Sequence, residues 1–493
     1  MATAREMEAS ASTSLTGTEQ AGQPRVTGKF TATNEQGLLS QQASNSSYPE
    51  EQASSPAEAD VFGNEEGAEV QYKTCEWYFQ SIPSVGILAE NVSLRVLALP
   101  QALAILGLVP GLLCILILGF IATYTGWIIG EFKLAHPSVQ SFADCGMMIA
   151  GPIGREVMAT GQVLILIFVM GAHILSFAIA MNAMTDHATC MIVFGVVGLL
   201  ISFLLGLPRT FKNVSYFSIF SCLSIIVAVL VVMVAIGIQK PDMGNILAVR
   251  PNVPLVKGLG PVTNITLAYT GHVAFFSFQA ELKNPRDFKK ALFLEQGIAV
   301  TFYMTMSVVI YYYAGPLVAS PALGSASPTI TKVAFGIALP TIVVAGVVNG
   351  SVACKYIYVR IWAGTNVIHK NSFKSIGSWL AICAGAWLFS YILAESIPNF
   401  NIFLGLIGAL FGSWFSYALP PCLWLYLHKG KLFSTKRETA LTILNCFVFL
   451  LGVTIFSLGM WSSGVELSNG SGGKPFSCAN NWKPVSWAAE NGE

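Results

Sequence analysis

Charge is what this sequence has least of. Of its 493 residues only 11% are charged and 54% are hydrophobic. An ordinary soluble domain carries about 25% charged residues. A chain so poor in charge cannot cover a water-facing surface, so lipid must be part of its solvent. Lys and Arg number 27 against 26 Asp and Glu, a net charge of +1. That balance leaves no basic excess for nucleic acid. The ten cysteines are scattered and form no C-x-x-C pair, and most lie inside apolar runs, where a thiol behaves as a small hydrophobe. They say little about redox compartment. No metal-ligand cluster, phosphate-cradling Gly loop or nucleophile–base constellation stands out. An enzyme is therefore not expected, nor a cofactor or metal, and uphill work would have to draw on an ion gradient. A cleavable leader is not expected either, because the N-terminus is polar and the first long apolar run begins near residue 84.

What is present divides the chain in three. Residues 1–73 are rich in Ser, Thr, Ala, Gln, Gly and Glu and bury too little apolar surface to offset ordering entropy; they read as a disordered cytoplasmic tail. Residues 74–463 form the membrane domain, and 464–493 a polar, extracellular C-terminal tail. A hydrocarbon core of roughly 30 Å takes about 20 apolar residues per helix. Eleven stretches qualify, near 84–107, 109–132, 160–184, 188–207, 214–238, 260–281, 294–315, 333–358, 376–395, 401–427 and 438–462. Long continuous apolar runs suit helices and not the alternating strands of a barrel. The fold class is thus an all-α membrane protein with eleven transmembrane helices.

Loop charge gives the orientation. With the N-terminus cytoplasmic, the inner loops hold Lys133, Arg155, Arg209, Lys212, the cluster Lys283 to Lys290, Arg360, Lys370, Lys374 and the run Lys429 to Arg437. The outer loops hold mainly Lys240, Arg250 and Lys257, with Lys332 at a helix edge. This follows the positive-inside rule and puts the C-terminus outside. Asn469, in N-G-S, would then face the exterior as a glycosylation candidate.

Two stretches look interrupted. The first crowds Glu90, Asn91, Ser93 and Arg95 into its interior, followed by Pro100, which removes a helical hydrogen bond. The sixth has Tyr269, Thr270, Gly271 and His272 near its middle. First and sixth are matching positions of two five-helix halves. Interruptions at repeat-matched positions point to a transporter site at the midplane. A half-helix N-terminus suits a carboxylate, and freed carbonyls suit an ammonium or a coupling cation, so together they make a receptor for a zwitterion.

Each candidate has a bland reading beside the functional one. Asn91, Ser93, Arg95, Tyr269, Thr270 and Gly271 are substrate-binding candidates; Gly and Pro also occur in membrane helices for packing alone. Glu90 is a proton-relay carboxylate or a structural partner of Arg95. His272 titrates near neutral pH and suits proton coupling, or it props the unwound backbone. Asn349 and Ser351 line a cation or substrate site or join helices, since Gly346 and Gly350 stand at G-x-x-x-G spacing. His173 reads as structural.

Several segments carry a family resemblance: W-Y-F-Q-S-I (77–82), L-A-L-P (97–100), A-T-Y-T-G-W-I-I-G (122–130), A-Y-T-G-H-V-A-F-F-S-F (268–278), E-L-K-N-P-R-D-F-K-K-A-L (281–292), A-F-G-I-A-L-P-T-I-V (334–343) and K-Y-I-Y-V-R-I (355–361). The chain resembles the amino acid/auxin permease family of the amino acid–polyamine–organocation superfamily, and within it the fungal neutral amino acid permeases of the methyltryptophan-resistance type. The resemblance implies a LeuT-like 5+5 inverted repeat plus an extra helix. It further implies import of neutral or aromatic amino acids by proton symport, with sodium less favoured, at the plasma membrane. A vacuolar exporter of the same fold and a non-transporting sensor are the alternatives. One departure stands out: the family pattern G-x-L-x-L-P has its glycine where this chain has Arg95.

Overall fold

The computed structural model describes residues 94–209, 214–282, 284–365, 367–368, 372–470, 473–480 and 482. Glu90, Asn91, Ser93 and the 1–73 tail fall outside the described residues. A 3-10 turn, Arg95–Ala98, leads into α1 (Leu99–Leu106) and then α2 (Leu108–Ala135). α3 is Phe142–Thr185, α4 Met191–Gly206 and α5 Val214–Gln239. The sixth stretch is two helices, α6 (Leu255–Ala268) and α7 (His272–Glu281). α8 is Phe288–Ala314, α9 Pro328–Trp362 and α10 Phe373–Ser396. The tenth stretch passes through α11 (Phe400–Ile407), a π-helical segment Gly408–Ala418 and α12 (Leu419–Leu427), and α13 is Lys436–Ser468.

Among the described residues, eight helices are long and apolar enough to cross a bilayer. Large apolar side chains such as Phe120, Ile153, Leu204, Val234, Ile238 and Phe447 are exposed on their outer faces. In water so much exposed apolar surface would drive association; in a bilayer it is the lipid contact. α3 and the Phe400–Leu427 stretch are the most enclosed, while α10 and α13 lie at the periphery.

Boundaries differ from expectation where local chemistry intervenes. The third helix begins at Phe142, well before residue 160, because Ser141 and Asp144 form a reciprocal capping box. It kinks at Ala150 and Gly151, the latter at φ +65°, immediately before Pro152. The turn between α1 and α2 rests on Gly107 at φ +96°, where a methyl group would lie 2.7 Å from the Arg250 backbone nitrogen. Arg250 itself donates from Nη1 to the Ala104 carbonyl at 2.7 Å, closing the end of α1. Pro100 stands in the first turn of α1, where a missing N–H costs nothing, so the irregularity is carried by the 3-10 turn before it.

The cysteines carry more information than their spacing suggests. Cys190, the N-cap of α4, is bonded to Cys478, beyond the end of α13. Seven other cysteines are free among the described residues.

Candidate functional site

The break between α6 and α7 is the centre of the molecule. α6 runs to Ala268, Tyr269–Gly271 leave the helix, and α7 starts at His272. Tyr269, Thr270 and His272 are all buried. The carbonyls at the break are not all left open. The Tyr303 hydroxyl of α8 donates to Ala268 O at 3.1 Å, and Arg95 Nη1 donates to Thr270 O at 2.9 Å. Arg95 thus ties the 3-10 turn within the first stretch to the break in the sixth. Its burial in the protein interior is supported by a charge-assisted hydrogen bond, the stronger kind.

His272 opens α7. Its Nε2 lies 3.0 Å from Ala122 O and 2.9 Å from Thr125 Oγ1. A carbonyl only accepts, so Nε2 carries a proton. Nδ1 is buried beside the Tyr269 backbone and, among the described residues, makes no hydrogen bond of regular geometry. It is the nitrogen left to gain or lose a proton. The Tyr269 hydroxyl is likewise buried without a hydrogen-bond partner among the described residues, beside Tyr303 at a ring separation of 5.4 Å.

Glycines let the neighbouring helices close on the break. A methyl on Gly119 of α2 would lie 2.9 Å from the Tyr269 hydroxyl. One on Gly412, in the π segment, would lie 2.7 Å from Thr270 Oγ1. One on Gly408 would lie 2.0 Å from Thr263 O. The π geometry widens the turn here, as π segments at functional sites often do.

Two further candidates, Asn349 and Ser351, lie on α9. Asn349 Nδ2 donates to Ala345 O at 2.9 Å and Ser351 Oγ to Val347 O at 2.8 Å, so both bond one turn back along their own helix. Gly346 meets the His173 side chain and Gly350 meets Trp387, the close packing their spacing allows. His173 Nδ1 donates to Ile342 O at 2.7 Å.

Sequence reading passed over Glu295 and Gln296, both buried on α8. Gly119 packs on Val300 and Gly126 on Leu292. That antiparallel register puts Glu295 and Gln296 at the depth of Ala122, whose carbonyl holds His272. A Glu-Gln pair inside an otherwise apolar 294–315 run was the available signal.

Buried apolar helices packed around an interrupted one, with polar and charged side chains turned to the interruption, define a polytopic helical membrane protein built around a central polar site. Residues 84–463 match the family model described as transmembrane amino acid transporter protein, and the chain belongs to that family. It is 35% identical over 409 residues to the N amino acid transport system protein of Neurospora crassa, covering 80% of this chain and 87% of that one. It is 30% identical to a transmembrane transporter of Gibberella moniliformis, covering 84% and 89% of the two chains. With the amino acid transporter AVT1B of Arabidopsis thaliana it shares 24%, over 68% and 62%. Among solved structures it is similar to a Na+-coupled sialic acid symporter in a substrate-bound outward-open state, at 12% identity and a TM-score of 0.47, covering 78% of this chain and 89% of that one.

Proposed function

We propose that the protein is a secondary carrier that imports neutral, including aromatic, amino acids with protons by alternating access, in the plasma membrane. Its architecture on this reading is eleven membrane helices in a 5+5 inverted repeat plus one, with the N-terminus inside. The observation that carries the proposal is the Arg95–Thr270 link across the α6–α7 break.

The reasoning runs from charge. The first backbone N–H groups of α7 have no partner within the helix and concentrate partial positive charge. Arg95 adds a full positive charge beside them. Together they suit a substrate carboxylate. Two carbonyls at the break that could otherwise face a cation, Thr270 O and Ala268 O, already accept from Arg95 and Tyr303. That favours a proton held on a side chain over a sodium ion held by backbone oxygens. His272 Nδ1 and the Glu295 carboxylate are the groups placed to hold it. Tyr269 and Tyr303 supply an aromatic wall for the substrate side chain. The Cys190–Cys478 bond supports this orientation: disulfides persist on the oxidising side, and on this reading the α3–α4 loop and the C-terminal tail are both outside.

The test is radiolabelled uptake in a permease-deficient cell, with and without a pH gradient. Saturable accumulation that collapses with the gradient is the expected result. Accumulation that follows a sodium gradient instead would overturn proton coupling, and binding without accumulation would favour the sensor. His272→Ala and Glu295→Gln are expected to bring the accumulation ratio toward one while amino acid exchange persists. Equal loss of both activities would assign these side chains to packing.

A further inference from the structure

The C-terminal segment beyond α13 does not leave the molecule. Gly473 rests by Pro398, and the Phe476 amide donates to the Glu395 carbonyl at 3.3 Å. Cys478 is bonded to Cys190. Asn480 Oδ1 accepts from Asn182 Nδ2 at 2.6 Å and from the Trp482 amide at 2.9 Å. Trp482 is only 9% exposed. Its indole stands edge-on to Phe335 of α9, with ring centroids 5.6 Å apart.

The far edge of that indole fills a recess made by a glycine. A methyl group on Gly324 would lie 1.7 Å from Trp482 Cη2. Gly324 belongs to the 3-10 turn Ala322–Ser325 between α8 and α9, which is wholly buried. On its other side this turn packs against α1 and against the Arg95–Ala98 turn. The chain of contact is therefore continuous: Trp482, the 322–325 turn, Arg95–Ala98, and through Arg95 the Thr270 carbonyl at the break.

We propose that Trp482 is a positioning residue for transport: it latches the 322–325 turn down over the Arg95–Ala98 turn, and the site opens outward only when the indole leaves the Gly324 recess. The disulfide acts by proximity. Four residues from Trp482, it keeps the effective concentration of the indole at the recess high without touching the site. Asn182–Asn480 fixes the angle of approach. The latch rests on the reading of this chain as a carrier with the α3–α4 loop outside, but its accessibility does not require any particular substrate.

The experiment uses the full chain in cells, with Ala322→Cys as a reporter. Ala322 is buried with the latch closed. A membrane-impermeant maleimide is applied from outside, and labelling is compared with the parent, the Ala322→Cys chain with Trp482 and Gly324 intact, while the chain lacking the reporter cysteine gives the background. Trp482→Ala, which forfeits the edge-to-face contact and the indole's burial, is expected to raise the labelling rate about tenfold. Gly324→Ala is expected to do the same from the opposite side, by expelling the indole. Trp482→Phe restores most of the protection. Cys478→Ser gives a smaller rise, because the latch can still close. Uptake by Trp482→Ala should show an altered KM at unchanged surface level, which simple misfolding does not produce. Labelling equal to the parent in both Trp482→Ala and Gly324→Ala, with both variants at the cell surface, overturns the latch. Labelling that rises in cells showing no amino acid uptake keeps the latch and overturns the import reading instead.

Discussion

Gly408→Ala is expected to abolish transport and to cut the amount of protein reaching the surface several-fold, with Gly297→Ala indistinguishable from the parent. The contrast is between two glycines on membrane helices. At Gly297 nothing lies within 4 Å of an added methyl. At Gly408 the methyl would sit 2.0 Å from Thr263 O, and an acceptable contact begins near 3.0 Å. The obstacle is backbone, so no rotamer relieves it. The π segment and α6 must separate by about an ångström to reach that limit. Overpacking a core costs about 1–3 kcal/mol and occasionally more. Here the strain falls two turns from the break, where Gly412 already faces Thr270 Oγ1 at 2.7 Å from an added methyl. Surface biotinylation and uptake of the two variants side by side check the result. Normal uptake by Gly408→Ala would show that α6 and the π segment tolerate separation, and the close packing at the break would lose its role.

The interruption in the sixth stretch was legible because its causes are local. Gly271 and His272 stand in the middle of an apolar run, and the observed helices stop at Ala268 and restart at His272. Hydropathy gave the long helices for the same reason: a bilayer demands length and apolarity, and both are counted in one dimension. The kink at Gly151-Pro152 was equally present in the sequence, yet the helix was begun near 160, because the capping box at Ser141 and Asp144 lies outside the apolar run that defines a span.

What escaped the sequence depends on distance in space. Cys190 and Cys478 are 288 residues apart, and nothing in their spacing pairs them. Glu295 reads as one charge near a helix start until the register of α2 on α8 brings it to the depth of His272. Asn349 and Ser351 are both buried, but periodicity does not reveal that a side chain bonds its own helix. The π geometry of Gly408–Ala418 has no compositional mark; it coincides with the close approach to Thr263, Thr266 and Thr270 that Gly405, Gly408 and Gly412 admit.

Arg95 is the residue whose replacement tells most about the chemistry. A guanidinium in the membrane interior persists only where it is paired, and here Nη1 donates to Thr270 O at 2.9 Å. Removing it takes a charged donor from a carbonyl at the break. Hydrogen bonds to charged groups contribute about 1.5–3 kcal/mol, which is roughly 10- to 150-fold in an equilibrium constant. If the same guanidinium also faces the substrate carboxylate, Arg95→Gly raises KM for the best substrate by about that factor. It also frees the volume of a long side chain beside Thr270, so the range of neutral amino acids accepted should widen. Arg95→Lys keeps the charge but not the planar fork, and should keep the parent's substrate range with an intermediate KM. The measurement is a competition profile across the twenty amino acids for parent, Arg95→Gly and Arg95→Lys at matched surface level. A profile and KM unchanged in Arg95→Gly would remove Arg95 from the substrate site. A loss of rate with an unchanged KM would instead make the Arg95–Thr270 bond a hinge between the two interrupted stretches, engaged when the carrier changes state and indifferent to what it carries.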